Sequence, residues 1–459
     1  MLTYTRNYIL KRKDRPWLLF ILTLIWVLGT VFFHSPWEPY EPFVFAVVKG
    51  IIYNNSWLVP YVSNAPYLEI QPFYFWIYAS IIKLFNITDI NYIANTIRIL
   101  NTLVIFSVLV VVGIIGSGLS AFKNGRTVIL ILISSLGFIN TTYQLSPNIL
   151  ILLGLGMYLY ALQKHKDLPG ISGGILFIGL LFLSINFTCE FVILAIFTLI
   201  LLPTIDKYWR NKRYLLTCII GLFLFSIIFY FYCVQLKNVN SDFYQQWQSR
   251  YTQLIRRINY NFWVQSLDTI KLLAWYIAPA SALALWSIIK RGKKIFADKI
   301  LQVSIILSFL LFLFTCISGQ YPENTIFPIV ILFALIASVE VDSIRITVVS
   351  LLNSFSVMFF GLLGLTVWIL YLMCSFLDNN QLIRFLNSMG QNYKHNFNVW
   401  QLLLALLISV IWLIMITRRH IRGREMVTNW ASGSTFVVIL FLALWLPWFD
   451  SVLTFRPIV

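Results

Sequence analysis

Residues 11–41 read KRKDRPWLLFILTLIWVLGTVFFHSPWEPYE. Lys11, Arg12, Lys13 and Arg15 precede an apolar run from Trp17 to Phe33. No small-residue cleavage site follows that run, so it reads as an uncleaved start-transfer helix rather than a removed signal peptide. Beyond it the chain enters a stretch of prolines, aromatics and carboxylates, ending at Glu41.

The rest of the chain repeats the apolar theme. Of 459 residues, 59% are hydrophobic and 11% charged, whereas soluble domains carry roughly 25% charge. That excludes a disordered chain, a secreted disulfide scaffold and an ordinary soluble enzyme. Cys189, Cys218, Cys233, Cys316 and Cys374 lie in or beside apolar runs without a CxxC pair, as small buried hydrophobes do. A membrane span needs about 17–25 apolar residues. Thirteen segments qualify: 17–34, 97–118, 127–143, 147–163, 170–186, 188–205, 214–236, 272–290, 300–317, 325–341, 346–376, 400–417 and 430–448. The expectation is an all-α polytopic membrane protein, a single unit over 1–459, with the N-terminus cytoplasmic and the C-terminus outside.

Charge supports that threading. The formal charge is +17, from 34 Lys+Arg against 17 Asp+Glu. With the N-terminus inside, 23 of the 34 basic residues fall in inside segments, which is the positive-inside pattern. The excess therefore points to membrane topology and lipid, not to a nucleic-acid partner.

Two outer stretches, 35–96 and 237–271, are too long for turns; long connections in compact folds tend to carry function. The first is rich in Trp, Tyr, Phe and Pro, suited to an interfacial layer. Within it, 41–52 and 74–85 read as helices too short to span. Carboxylates at the mouth of a membrane cavity suit a general base or a cation ligand, so a divalent cation is carried as an option, although His34, His165, His395 and His420 show no metal-ligand spacing. Glu41 and Glu69 are the leading acids, each weighed against a solvated loop acid. Glu190 stands between two apolar runs, as a hairpin tip or a cavity-facing acid. Arg250, Arg256 and Arg257, near Tyr244, Trp247 and Tyr251, offer guanidinium forks that match phosphate oxygens, or a general lipid-headgroup face. Lys49 and Lys83 could serve similarly, more weakly.

An ordered set then stands out: Trp37-Glu38-Pro39-Tyr40-Glu41, Ser56-Trp57-Leu58-Val59-Pro60-Tyr61, Pro66-Tyr67-Leu68-Glu69, Pro72, Trp76 and Lys83-Leu84-Phe85. It resembles the GT-C glycosyltransferases, most closely the lipid A aminoarabinose transferases and their protein O-mannosyltransferase relatives. Thinner echoes are Arg98, Ser146-Pro147-Asn148, Ser318-Gly319 and Ile326-Phe327-Pro328. The resemblance implies a GT-C fold in a bacterial inner membrane. It implies an enzyme that moves a sugar from a polyprenyl phosphate to a lipid or protein acceptor on the outer face. It also implies an Asp-Glu pair in the first loop at the reaction centre and basic residues on the phosphate. Here the Asp falls on Tyr40, leaving Glu41; an expected Lys falls on Ile70 and an expected acid on Asn148. The family's soluble C-terminal domain has no expected counterpart. The site assigned from this resemblance is Glu41 and Glu69 for catalysis, with Arg250, Arg256, Arg257, Tyr40 and Asn148 for substrate. A relative that binds polyprenyl phosphate without turnover is the alternative. A transporter ranks third, because no internal repeat is visible.

Overall fold

The computed structural model describes residues 16–31, 34, 36–62, 65–67, 69–119, 124–186, 189–256, 262–318, 321–376, 380–389, 397–417 and 423–454. Among these the architecture is helical throughout, apart from one two-stranded ribbon that pairs Tyr61 with Pro66 and Val62 with Ala65. In chain order the helices are α1 Pro16–Leu28, α2 Glu41–Asn54, α3 Pro72–Leu84, α4 Ile90–Ser117, α5 Gly125–Ser134, α6 Leu136–Thr142 and α7 Asn148–Lys164. Then come α8 Pro169–Leu183, α9 Glu190–Ile205, α10 Lys212–Val239, α11 Ser241–Arg256, α12 Phe262–Tyr276, α13 Ala280–Arg291 and α14 Lys299–Ser318. The last are α15 Pro322–Ile326, α16 Ile329–Ala337, α17 Ile346–Phe376, α18 Asn380–Met389, α19 Val399–Ile416 and α20 Gly423–Leu453.

Local chemistry sets many of these boundaries. Pro16, Pro72, Pro169 and Pro322 open α1, α3, α8 and α15, where the missing N–H costs nothing. Asp89 caps α4 by accepting from the Asn91 N–H at 2.8 Å. Asn211 and Asn398 cap α10 and α19 in the same manner, at 3.1 and 2.9 Å.

Six helices among the described residues are long and apolar enough to cross a membrane: α4, α10, α14, α17, α19 and α20. Two bent pairs, α5 with α6 and α12 with α13, raise the number to eight if each pair is one broken span. The protein is thus a multi-pass membrane protein. The described residues of all thirteen apolar segments fall mainly on helix, but α7, α8 and α9 have only 17, 15 and 16 residues, so thirteen full crossings stays an expectation.

Three segments read as single spans are broken. The 127–143 segment bends by 76° at Ser135, whose backbone is extended and whose hydroxyl, with that of Ser134, donates back to the Ile131 carbonyl. The 272–290 segment begins earlier, at Phe262, and turns by 101° before Pro279, which has no N–H to continue the ladder. Pro328 likewise separates α15 from α16. The 237–271 stretch, read as a loop, is mostly helical: α10 runs on to Val239, α11 occupies 241–256 and α12 starts at 262. The two short helices expected at 41–52 and 74–85 are present as α2 and α3.

Close backbone approach holds part of the bundle. A Cβ on Gly154 would meet the Gly179 carbonyl at 2.9 Å, and one on Gly179 would meet the Gly154 carbonyl at 3.0 Å, so α7 and α8 touch through paired glycines. At one end of the molecule the basic loops pair with each other's acids: Asp206 with Lys299, Arg291 with Glu340 at 2.6 Å, and Asp342 with Arg424 at 2.8 Å. At the other end the start of α2 meets the end of α20, and the polar residues of interest gather there.

Candidate active site

The segment before α2 is clamped to the last helix. Glu38 N–H donates to the Leu453 carbonyl at 2.8 Å, and Trp37 forms a bridge with Thr454. The Trp37 indole N–H donates to Asp450 Oδ1 at 2.8 Å. The His34 ring lies over the Trp37 ring, centroids 3.7 Å apart. Residues 36–40 therefore enter α2 already oriented, and Glu41 becomes its first residue.

Glu41 is 3% exposed. Its Oε2 accepts from Arg98 Nη2 at 3.1 Å and from the Trp37 N–H at 3.3 Å. Its Oε1 lies 3.8 Å from His34 Nε2. Burial pushes the carboxyl above its ordinary pKa, while the Arg98 guanidinium and the Trp37 and Leu145 amides pull it back down. The N-terminus of α2 also favours a negative charge at this place. Arg98 reaches Glu41 from α4, two turns inside the helix, and is 5% exposed; its guanidinium sits 5.4 Å from the Phe45 ring centre. A charge at such depth needs a partner, and Glu41 is that partner.

Beside this pair is a cavity of about 640 Å³, walled in part by His34, Phe45, Lys49, Ile93, Arg98 and Asp450. The size and the mostly apolar lining with a few converging polar groups are those of ligand sites. Its charged lining is two cations, Lys49 and Arg98, with one acid, Asp450. A second hollow of about 420 Å³ lies where α12 meets α15, with Asp268 and Glu323 on its wall.

The residues assigned from the sequence divide into separate groups. Glu41 goes with Arg98. Tyr40, its neighbour, is half-buried; burial first, then the nearby Glu69 carboxylate, pushes the phenol further above its ordinary pKa, so it stays protonated at neutral pH. Glu69 is exposed and accepts from the Tyr67 hydroxyl at 3.4 Å. Asn148 opens α7, its N–H donating to Ser146 Oγ at 3.2 Å. Glu190 is buried at the start of α9, after Cys189 in the left-handed region. Arg250 and Arg256 lie on α11, which is seated by Phe243 and Trp247 against Val59 and Leu236; Arg257 lies outside the described residues. Among the described residues, no three His, Cys, Asp or Glu side chains come together to hold a metal ion.

The cavity wall includes residues outside the set assigned from the sequence. Lys49 was read as a minor phosphate ligand and Arg98 as an echo; His34 and Asp450 had no assigned part. A usable signal existed for Arg98, because an arginine inside an apolar helix implies a buried acid elsewhere.

No protein-family model matches the chain, and no curated protein matches it in sequence. Among solved structures, the chain is similar to ArnT from Cupriavidus metallidurans bound to undecaprenyl phosphate. The TM-score is 0.60 at 12% identity, covering 94% of this chain and 78% of that one. The apo state of the same protein gives a TM-score of 0.58 at 12% identity, covering 96% and 78%.

Proposed function

We propose that this chain, which has the GT-C fold of ArnT, is a membrane glycosyltransferase that takes a sugar from a polyprenyl phosphate and gives it to a lipid or protein acceptor. The observation that carries the reading is the cavity beside the Glu41–Arg98 pair, with Lys49, Arg98 and His34 on its wall. A phosphate leaving group asks mainly for fixed positive charge, which Lys49 and Arg98 supply on that wall. In this reading Arg98 and Lys49 face the phosphate. Glu41, saturated by its own donors, holds Arg98 in one rotamer and so acts as a positioning residue. Tyr40, Glu69 and Asn148 remain candidate substrate contacts. Positive-inside charge favours an outer-face, inner-membrane site with both termini as read from the sequence.

A second reading is favoured by one feature. Glu41 is engaged by Arg98 and two backbone amides, and Tyr40 stands where the family's Asp would be. A relative that binds polyprenyl phosphate without turnover would have the same features.

The test uses the full chain in nanodiscs, with undecaprenyl-phosphate-linked pentoses, hexoses and aminosugars as donors and envelope lipid vesicles or envelope protein as acceptors. Mass spectrometry should find a sugar-sized gain on one acceptor class. Saturable binding of undecaprenyl phosphate with no product from any donor would favour the second reading.

A further inference from the structure

We infer that Asp450 is the general base of this cavity, the group that takes the proton of the acceptor hydroxyl. The inference rests on the transferase reading above. A base must reach the proton it removes. Glu41 does not meet that condition, being 3% exposed and held by Arg98, the Trp37 amide and the Leu145 amide. Tyr40 is kept protonated by burial and by Glu69. Glu69 is not on the cavity wall. His34 is on the wall, but its ring lies flat on Trp37 with Nε2 turned toward Glu41. Asp450 is the acid among the cavity's described lining residues.

Its surroundings fit the role. Asp450 stands in the last turn of α20, where the helix dipole disfavours a carboxylate, so helix stability does not explain an acid there. The Trp37 indole fixes Oδ1 at 2.8 Å, and Trp37 is itself fixed by the Thr454 bridge and by the His34 stack. The carboxylate thus borders the same cavity as Arg98 and Lys49, from a different helix.

The acceptor oxygen forms a bond to the anomeric carbon while its proton passes to Asp450. The anomeric carbon's bond to the phosphate oxygen breaks, and the polyprenyl phosphate leaves with the electron pair, its charge facing Arg98 and Lys49. Water then takes the proton from Asp450.

The test compares Asp450→Asn, Asp450→Glu and Trp37→Phe in the nanodisc assay, with undecaprenyl phosphate as the binding probe. Asparagine keeps an acceptor oxygen for Trp37 but is no base. The expected result for Asp450→Asn is a fall in transfer rate of about 10²- to 10⁴-fold, with unchanged undecaprenyl phosphate affinity and thermal midpoint and with loss of the acid limb of the pH–rate profile. Asp450→Glu should recover part of the rate, and Trp37→Phe should lose less than Asp450→Asn. Wild-type rates in Asp450→Asn would overturn the assignment, as would a loss of rate fully matched by lost undecaprenyl phosphate binding. Were Asp450→Asn to misfold, a folded Asp450→Glu with an unshifted pH profile would overturn it too. A wild type that binds undecaprenyl phosphate and yields no product would instead remove the transferase reading itself.

Discussion

Arg98 Nη2 lies 3.1 Å from Glu41 Oε2, with both side chains at least 95% buried. The two residues are 57 positions apart, so this contact joins α4 to the start of α2 and holds Arg98, which lines the cavity.

Breaking that pair from one side strands a charge. Glu41→Gln and Arg98→Gln should each destabilise by about 3–5 kcal/mol, the usual cost of an orphaned buried ion. The double variant should cost less than the sum. Unfolding of the four proteins in detergent, followed by tryptophan fluorescence, closes the double-mutant cycle. Additive losses would mean that the two charges do not depend on each other.

A separate pair governs acid stability at the opposite end of the molecule. The Lys299 ammonium, then the Tyr208 amide, hold the Asp206 carboxyl below its ordinary value. A lowered folded-state pKa gives stability that is present above the unfolded value and is lost as pH falls through the folded one. Thermal midpoints of the wild type should therefore fall as pH drops below about 4. Asp206→Asn should flatten that acid limb while lowering the midpoint at neutral pH. An unchanged acid limb in Asp206→Asn would sink the assignment.

The α17–α20 seam depends on missing side chains. A Cβ on Gly364 would run into the Phe436 ring, and one on Gly433 into the Phe360 ring. Nearby, Asn429 Nδ2 donates to Asn353 Oδ1 at 2.8 Å. Gly433→Val should cost at least the 1–3 kcal/mol or so typical of overpacking. Gly174 on α8 has nothing within 4 Å of its Cβ position, and Gly174→Ala should be neutral or stabilising by up to roughly 1 kcal/mol. A matched pair of melting curves checks both signs.

Much of this architecture was legible in the sequence because hydrophobicity and charge are long-range averages. The described residues of the thirteen apolar segments fall mainly on helix, and α2 and α3 were visible as short helices between turn residues. The kinks were not, since Ser135 and Pro279 change direction without altering composition. The candidate site is less legible. The Trp37–Glu41 motif leads to the Glu41–Arg98 pair and the cavity beside it. Yet Glu41 turned out to be spent on Arg98, while Asp450, more than 400 residues later, came to the cavity only through packing of α20 against the first loop. A pairing at that sequence distance leaves no local trace. The GT-C likeness survived at 12% identity because the fold depends on span pattern and loop chemistry more than on particular residues.

Lysines separate the cavity from the general surface. Lys49 is on the cavity wall, whereas Lys83 donates to Asn55 Oδ1 at 3.0 Å and sits over the Trp57 ring. Both side chains are exposed, so nonspecific attraction to an anionic lipid would treat them alike. If the cavity takes the phosphate, Lys49→Gln should weaken undecaprenyl phosphate binding about tenfold, the equivalent of roughly 1.4 kcal/mol, and Lys83→Gln should leave it unchanged. The Lys49 contribution should also shrink with added salt, less steeply than a fully solvated contact would. Titrations of both variants against undecaprenyl phosphate in nanodiscs of neutral lipid decide it. Equal weakening by the two substitutions would move the phosphate out of the cavity and onto the membrane surface.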